Sequence, residues 1–154
     1  MIQALLNPDD DPWVWAVGRF MLNMGVVEGA TRLLVAEITG SDQEAIFSDD
    51  LASRIRYLRK RFPRDTAERH AHATNVFTVA LRLCGFRNIV AHSPLILSKQ
   101  EDGTVDIHGI ISVSPKVPKN SGVIISLTEL TGRIEESARV AQELLNMRGV
   151  FPAA

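Results

Sequence analysis

The stretch "LCGFRNIVAHSPL", Leu83 to Leu95, places Arg87, Asn88 and His92 at the end of an apolar run. An imidazole that titrates near neutrality can give and take protons. A guanidinium is a permanent cation matched to a phosphate, and a carboxamide can orient either group. On a helix Asn88 and His92 are four residues apart and stand one above the other; Arg87 is turned by about 100° from Asn88 and can still reach their shared edge. These are the parts for phosphoryl chemistry without a metal. RNA carries its own nucleophile, because its 2′-hydroxyl can attack the adjacent phosphorus. A protein then has only to move protons and stabilise charge on the phosphate oxygens.

A second cluster lies upstream. "RIRYLRKRFPR" gathers Arg54, Arg56, Arg59, Lys60, Arg61 and Arg64 around Tyr57. Such a mixture of cations and an aromatic ring can steer and hold an RNA backbone. The same residues also suit a solvated helix face whose cations sit favourably near its C-terminus. "RDTAERH" repeats the arginine-to-histidine spacing with Arg64 and His70, but lacks the Arg-Asn pair and the apolar stripe before it. His70 and His72, two residues apart, diverge by about 200° on a helix and cannot chelate one ion as i, i+4 histidines do. Cys84, the sole cysteine, reads as a buried inert thiol. There is no phosphate-binding glycine loop, zinc spacing or serine-hydrolase elbow.

"FRNIVAHSPL" resembles the signature of the HEPN superfamily, an arginine commonly followed by a polar residue, then a histidine after four to six intervening residues. Arg87, Asn88 and His92 occupy those positions here. The likeness is specific over about ten residues and otherwise lies in the order of helices. Many members are metal-independent endoribonucleases of toxin or defence type that pair so that two signatures face one cleft; others are inactive binding modules. The resemblance implies His92 as general base or acid, Arg87 as phosphate stabiliser and Asn88 as the group that positions one of them. It further implies a homodimer, an RNA substrate, an antitoxin protein as partner, and no cofactor.

The elements that must position these residues follow from periodicity. Asp11 can cap and Pro12 suits the first position of a long helix. Trp13, Val17, Phe20, Met24, Val27, Thr31, Leu34 and Ile38 form its core stripe, and Gly40 its end; the helix would run for roughly 40 Å. Gly18, Gly25 and Gly29 cluster on one side, either as tolerated glycines or because another backbone, such as a second subunit's, packs there. Glu28, beside the stripe, is expected to be exposed or in a structural ion pair. Ser48 is the expected cap of a second helix through Leu51, Ile55 and Leu58 that stops near Pro63. Asp65 or Thr66 opens a third, which continues through Gly85 to the "HSP" stop, with Phe77, Leu81 and Cys84 as an apolar stripe able to form a dimer face. "PLILSK" and "TVDIHGIISV" read as strands joined by the turn "QEDG"; "VIIS" is a short strand, and "SLTE" a capping box for the last helix.

The expected architecture is mainly α, a HEPN-like bundle of about four helices with a small β-hairpin insertion before the last helix, in one domain spanning 1–154. With 17 basic and 18 acidic side chains the chain is no polycation, so nucleic-acid affinity would rest on a local patch. "MIQALLNPDDDPW" carries acid where a signal peptide carries base, and no apolar run approaches the ~20 residues of a membrane span, which predicts a cytoplasmic protein with no membrane partner.

Overall fold

The computed structural model describes residues 11–40, 50–92, 95–99, 105–111 and 124–152. The described chain is mainly helical, with α1 Asp11–Thr39, α2 Leu51–Arg61, α3 Ala67–His92 and α4 Leu127–Asn146. Between α3 and α4 the backbone of β1 Leu95–Lys99 pairs antiparallel with β2 Val105–Ile111, and β2 with β3 Ile124–Ile125. Their register shifts between Leu97 and Ser98, so Ile107 has no Cα partner on β1. The "QEDG" turn lies outside the described residues.

The stripe of α1 faces inward as its period requires. Trp13, Phe20, Met24, Val27, Thr31, Leu34 and Ile38 are buried and Val17 is half-buried. Asp11, expected as the cap, is the first described residue and is already helical. Gly40 ends it at φ 64°, with its N–H donating to the Ala36 carbonyl at 2.9 Å. Among the described residues nothing closely approaches Gly18, Gly25 or Gly29, since an added Cβ would meet none of their atoms within 4 Å.

The cap of α2 is Asp50, not Ser48, which lies outside the described residues; the Asp50 side chain accepts the Ser53 N–H at 2.7 Å. "SDD" offers three capping residues in succession, and the one directly before Leu51 serves. Thr66 caps α3, accepting from the Arg69 N–H at 3.3 Å. Ser126 caps α4, accepting from the Glu129 N–H at 3.1 Å.

Pairwise contacts orient the bundle. Phe20 meets Phe86, Arg82 meets Glu136, and His72 meets Glu143, so α3 runs antiparallel to both α1 and α4. Asn23 bonds to Ile134 and Ser137, and Glu37 to Arg148 and Gly149, so α1 and α4 run parallel. One end of the bundle therefore gathers the start of α1, the end of α3 and the start of α4. The opposite end holds Phe62, whose ring lies 6.1 Å from Phe77 and 5.6 Å from Phe151. Phe20, Leu58, Phe77, Leu83, Leu130 and Leu144 are fully buried in one contiguous hydrophobic cluster, each stabilising the fold by about 1.5–3 kcal/mol. No helix among the described residues is long and apolar enough to cross a membrane.

Glu37 ties the end of α1 to the turn after α4. Its carboxylate accepts from the Arg148 guanidinium at 2.8 Å and the Gly149 N–H at 3.0 Å, and the Arg148 bond chiefly holds its pKa below the ordinary 4.5. A lowered folded pKa means a contribution that is present above the unfolded value and lost as pH falls through the folded one. Urea titrations should show wild-type stability falling more steeply below about pH 4.5 than that of Glu37→Gln; parallel profiles would contradict this.

Candidate functional site

Helix α3 is 26 residues long and α2 only 11, and this difference creates the site. The inner side of α3 stays buried almost to its end through Leu83, Phe86 and Val90. Phe86 stands edge-on to Phe20 with centroids 5.3 Å apart, and the Arg133 guanidinium lies 5.3 Å from its ring centre. That packing offsets the roughly 1 kcal/mol that Gly85 costs, and the helix runs through it as expected. The α2 side of α3 differs. Phe77 and Cys84 lie in the core, where the charges of Asp50, Arg54 and Arg56 act on the Cys84 thiol, so α2 begins beside Cys84. One turn further along the same stripe, Asn88 and His92 are exposed. The stripe expected as a dimer face is thus core at Phe77 and Cys84, half-buried at Leu81 and open only at the signature.

The three residues Arg87, Asn88 and His92 lie on the last two turns of α3, at its open end. Arg87 is half-buried and its Nη1 donates to the Asn88 Oδ1 at 3.3 Å. His92 is the last residue of the helix, one turn beyond Asn88. Among the described residues, no carboxylate pairs with Arg87 and no hydrogen bond engages the His92 ring. Neither side chain is bound by an acidic group in that part of the chain.

The basic stretch of α2 divides. Arg54 is 4% exposed, its Nη2 bound to Glu28 at 3.2 Å and its Nε to the Thr31 hydroxyl at 3.4 Å. It is a structural cation, not part of an open RNA-binding face, and it answers the expectation that Glu28 enters an ion pair. Arg56, Arg59 and Lys60 are exposed; Arg61 lies over Tyr57 at 5.0 Å, and Arg64 is exposed beyond Phe62. Arg59, Lys60, Arg61 and Arg64 run towards the end of the bundle where Phe62 faces His70. That end is roughly 33 Å from His92 along α3 at about 1.5 Å per residue. Within a protomer they are not brought to the signature, whereas Arg56 is close enough to act on Cys84. The rival Arg64 and His70 share no helix face, since Arg64 precedes α3 and His70 packs against Phe62.

The sequence reading missed a chain of charges along α3 and α4. Arg82 binds Glu136; Arg133 binds Glu136 at 2.8 Å and Glu129 at 3.7 Å. An open depression of about 480 Å³ lies beside Glu129, Gly132, Arg133, Glu135, Glu136 and Arg139, on the flank of α4. The i, i+3 and i, i+4 spacing of Glu129, Arg133 and Glu136 was the available signal. With three glutamates to two arginines, and Arg133 held by Glu129 and Glu136, the depression offers no net positive field for a phosphate.

No protein-family model, curated protein or solved structure matches the chain.

Burial pushes the Cys84 thiol up to about 11, and the nearby Arg87 opposes this only in part. Native protein at neutral pH should react with a thiol reagent only at the rate of unfolding, as a time course across urea concentrations would show; a fast stoichiometric reaction would refute the inert reading. The Arg54→Ala variant should lose roughly 2–4 kcal/mol in denaturant titration and Arg56→Ala less than about 0.5 kcal/mol, because the former strips a buried charge network and the latter a solvated side chain.

Proposed function

We propose that this chain is a HEPN-like, metal-independent endoribonuclease of toxin or defence type, acting in the cytoplasm. The observation that carries this reading is the open end of α3, with Arg87 against Asn88 at 3.3 Å and an exposed His92 one turn on. In this reaction the 2′-oxygen bonds to phosphorus as its proton leaves to a base, and the P–O5′ bond breaks as the 5′-oxygen takes up a proton. The products are a 2′,3′-cyclic phosphate and a 5′-hydroxyl. His92 supplies one proton transfer, and Arg87, aligned by Asn88, stabilises the charge on the phosphate oxygens.

One imidazole cannot be base and acid in the same instant. A homodimer in which two α3 ends face one cleft supplies the second, and the exposed Gly85 and Asn88 leave room for that approach. Strand β1 starts three residues after His92, so a β-hairpin insertion would stand at the mouth of such a cleft. Arg56 is the α2 cation best placed to hold the RNA backbone. An exposed cationic site is also the surface that an antitoxin would cover.

The competing reading is a non-catalytic module for helical dimerisation, nucleotide binding or protein interaction. It draws on the Arg87–Asn88 bond, in which two signature side chains already satisfy each other.

Cleavage of a mixed RNA pool in EDTA distinguishes the two. Wild type should cut and leave cyclic phosphate ends, His92→Ala should lose about 10²–10⁴ in rate, and Arg87→Ala should lose a comparable factor. Equal rates for wild type and His92→Ala would sink the assignment of His92. Loss of all cleavage on adding EDTA would sink the metal-independent mechanism, and RNA binding without cleavage would favour the module.

A further inference from the structure

Every exposed large hydrophobic residue among those described lies on α1: Val14, Trp15, Leu22, Val26 and Leu33. Leu22 is 70% exposed and Trp15 58%, values that a solvated helix of a monomer seldom reaches at several successive turns. At 100° per residue Trp15, Leu22, Val26 and Leu33 fall within about 40° of one another, and Gly18, Gly25 and Gly29 flank them on the same outer side. A Cβ added at any of these glycines would meet nothing within 4 Å among the described residues. The face therefore combines a ridge of large side chains with a strip where another backbone can come close.

We infer that the outer face of α1 docks a second copy of this chain, with the two α1 helices antiparallel. The pattern is self-complementary. A two-fold axis level with Met24 sets Trp15 against the partner's Leu33 and Leu22 against the partner's Val26. The same axis sets Gly18 near the partner's Gly29. Isologous contacts require this mutual pairing of one patch with itself.

Charge points the same way. Between Trp15 and Leu33 the rim carries Arg19, Glu28 and Arg32, all engaged within the protomer. Arg19 lies over the Trp15 ring at 5.5 Å, and Glu28 binds Arg32 at 2.9 Å and Arg54 at 3.2 Å. No charge on this face calls for a partner of opposite sign.

The size is sufficient. The strip from Trp15 to Leu33 is roughly 27 Å long, and half the girth of a helix about 12 Å across is roughly 19 Å. This gives about 500 Å² per protomer and about 1,000 Å² in the pair, which reaches the lower bound for a specific interface.

The inference does not rest on the ribonuclease reading. Helix α3 packs behind α1, Phe86 against Phe20, so an α1 pair leaves both signatures uncovered.

Sedimentation equilibrium of the full chain tests the interface. Wild type should be a dimer or an even multiple of one, and Leu22→Glu should have half the wild-type mass with unchanged circular dichroism, since Leu22 has no role in the protomer core. Gly25→Ala should keep or raise helicity while weakening association about tenfold or more, an effect that intramolecular packing would not produce. Leu22→Cys mixed with Val26→Cys should form a disulfide faster than either variant alone. A monomeric wild type, an unchanged mass for Leu22→Glu, or a monomer retained on phosphatidylcholine–phosphatidylserine vesicles would each overturn the proposal.

Discussion

Phe86 is held between Phe20 and Arg133, and the last turns of α3 depend on that contact. A helix end with no buried anchor frays, because its last carbonyls lack intrahelical partners and its residues gain little for the entropy lost. Here the anchor comes from α1 on one side and α4 on the other. Arg133 serves twice, covering the ring and binding Glu129 and Glu136, so the ring contact is coupled to the polar chain that clamps Arg82 to α4. The rigidity of the inner side allows Asn88 and His92 to stand on the open side in a fixed helical relation.

The second constraint is electrostatic. A guanidinium as deeply buried as that of Arg54 requires a carboxylate and further acceptors; Glu28 and Thr31, one helical turn apart on α1, provide them. Glu28 also holds Arg32 on the exposed side, so one carboxylate sits between a buried and a solvated cation. This network fixes where α2 starts against α1, and hence how much of α3 is left uncovered. The openness of the signature follows from the placement of Arg54.

Much of the helical layout was legible because it follows from local chemistry. The α1 stripe, the Gly40 stop, the Thr66 and Ser126 caps and the passage of α3 through Gly85 all depend on residues within a turn or two of one another. Arg54 could not be read correctly, since on α2 alone its position resembles its basic neighbours; only Glu28, 26 residues away, makes it internal. The same limit applied to the stripe from Phe77 to His92. Its period was evident, but the point where α2 stops covering it is a tertiary fact. Charge density along the chain was likewise a poor guide to a patch, because α2 carries Arg59 to Arg64 away from His92.

Two outward faces on opposite sides of one helix layer constrain assembly. Pairing through α1 is isologous, and so is pairing through the α3 ends; each alone closes as a dimer. Used together, two different two-fold contacts close as a D2 tetramer if their axes intersect at right angles, as a larger dihedral ring if they intersect at a smaller whole-number fraction of a half-turn, and extend into an open chain if they do not intersect. The chemistry proposed for His92 requires the α3 contact alone, whereas the exposed apolar side chains of α1 call for cover in water whether or not RNA is bound. The α1 contact is therefore the constitutive one on hydrophobic grounds. An α3 contact of the kind proposed, lined by Asn88 and His92 rather than by apolar groups, would be the weaker of the two and the one that a polar ligand could strengthen.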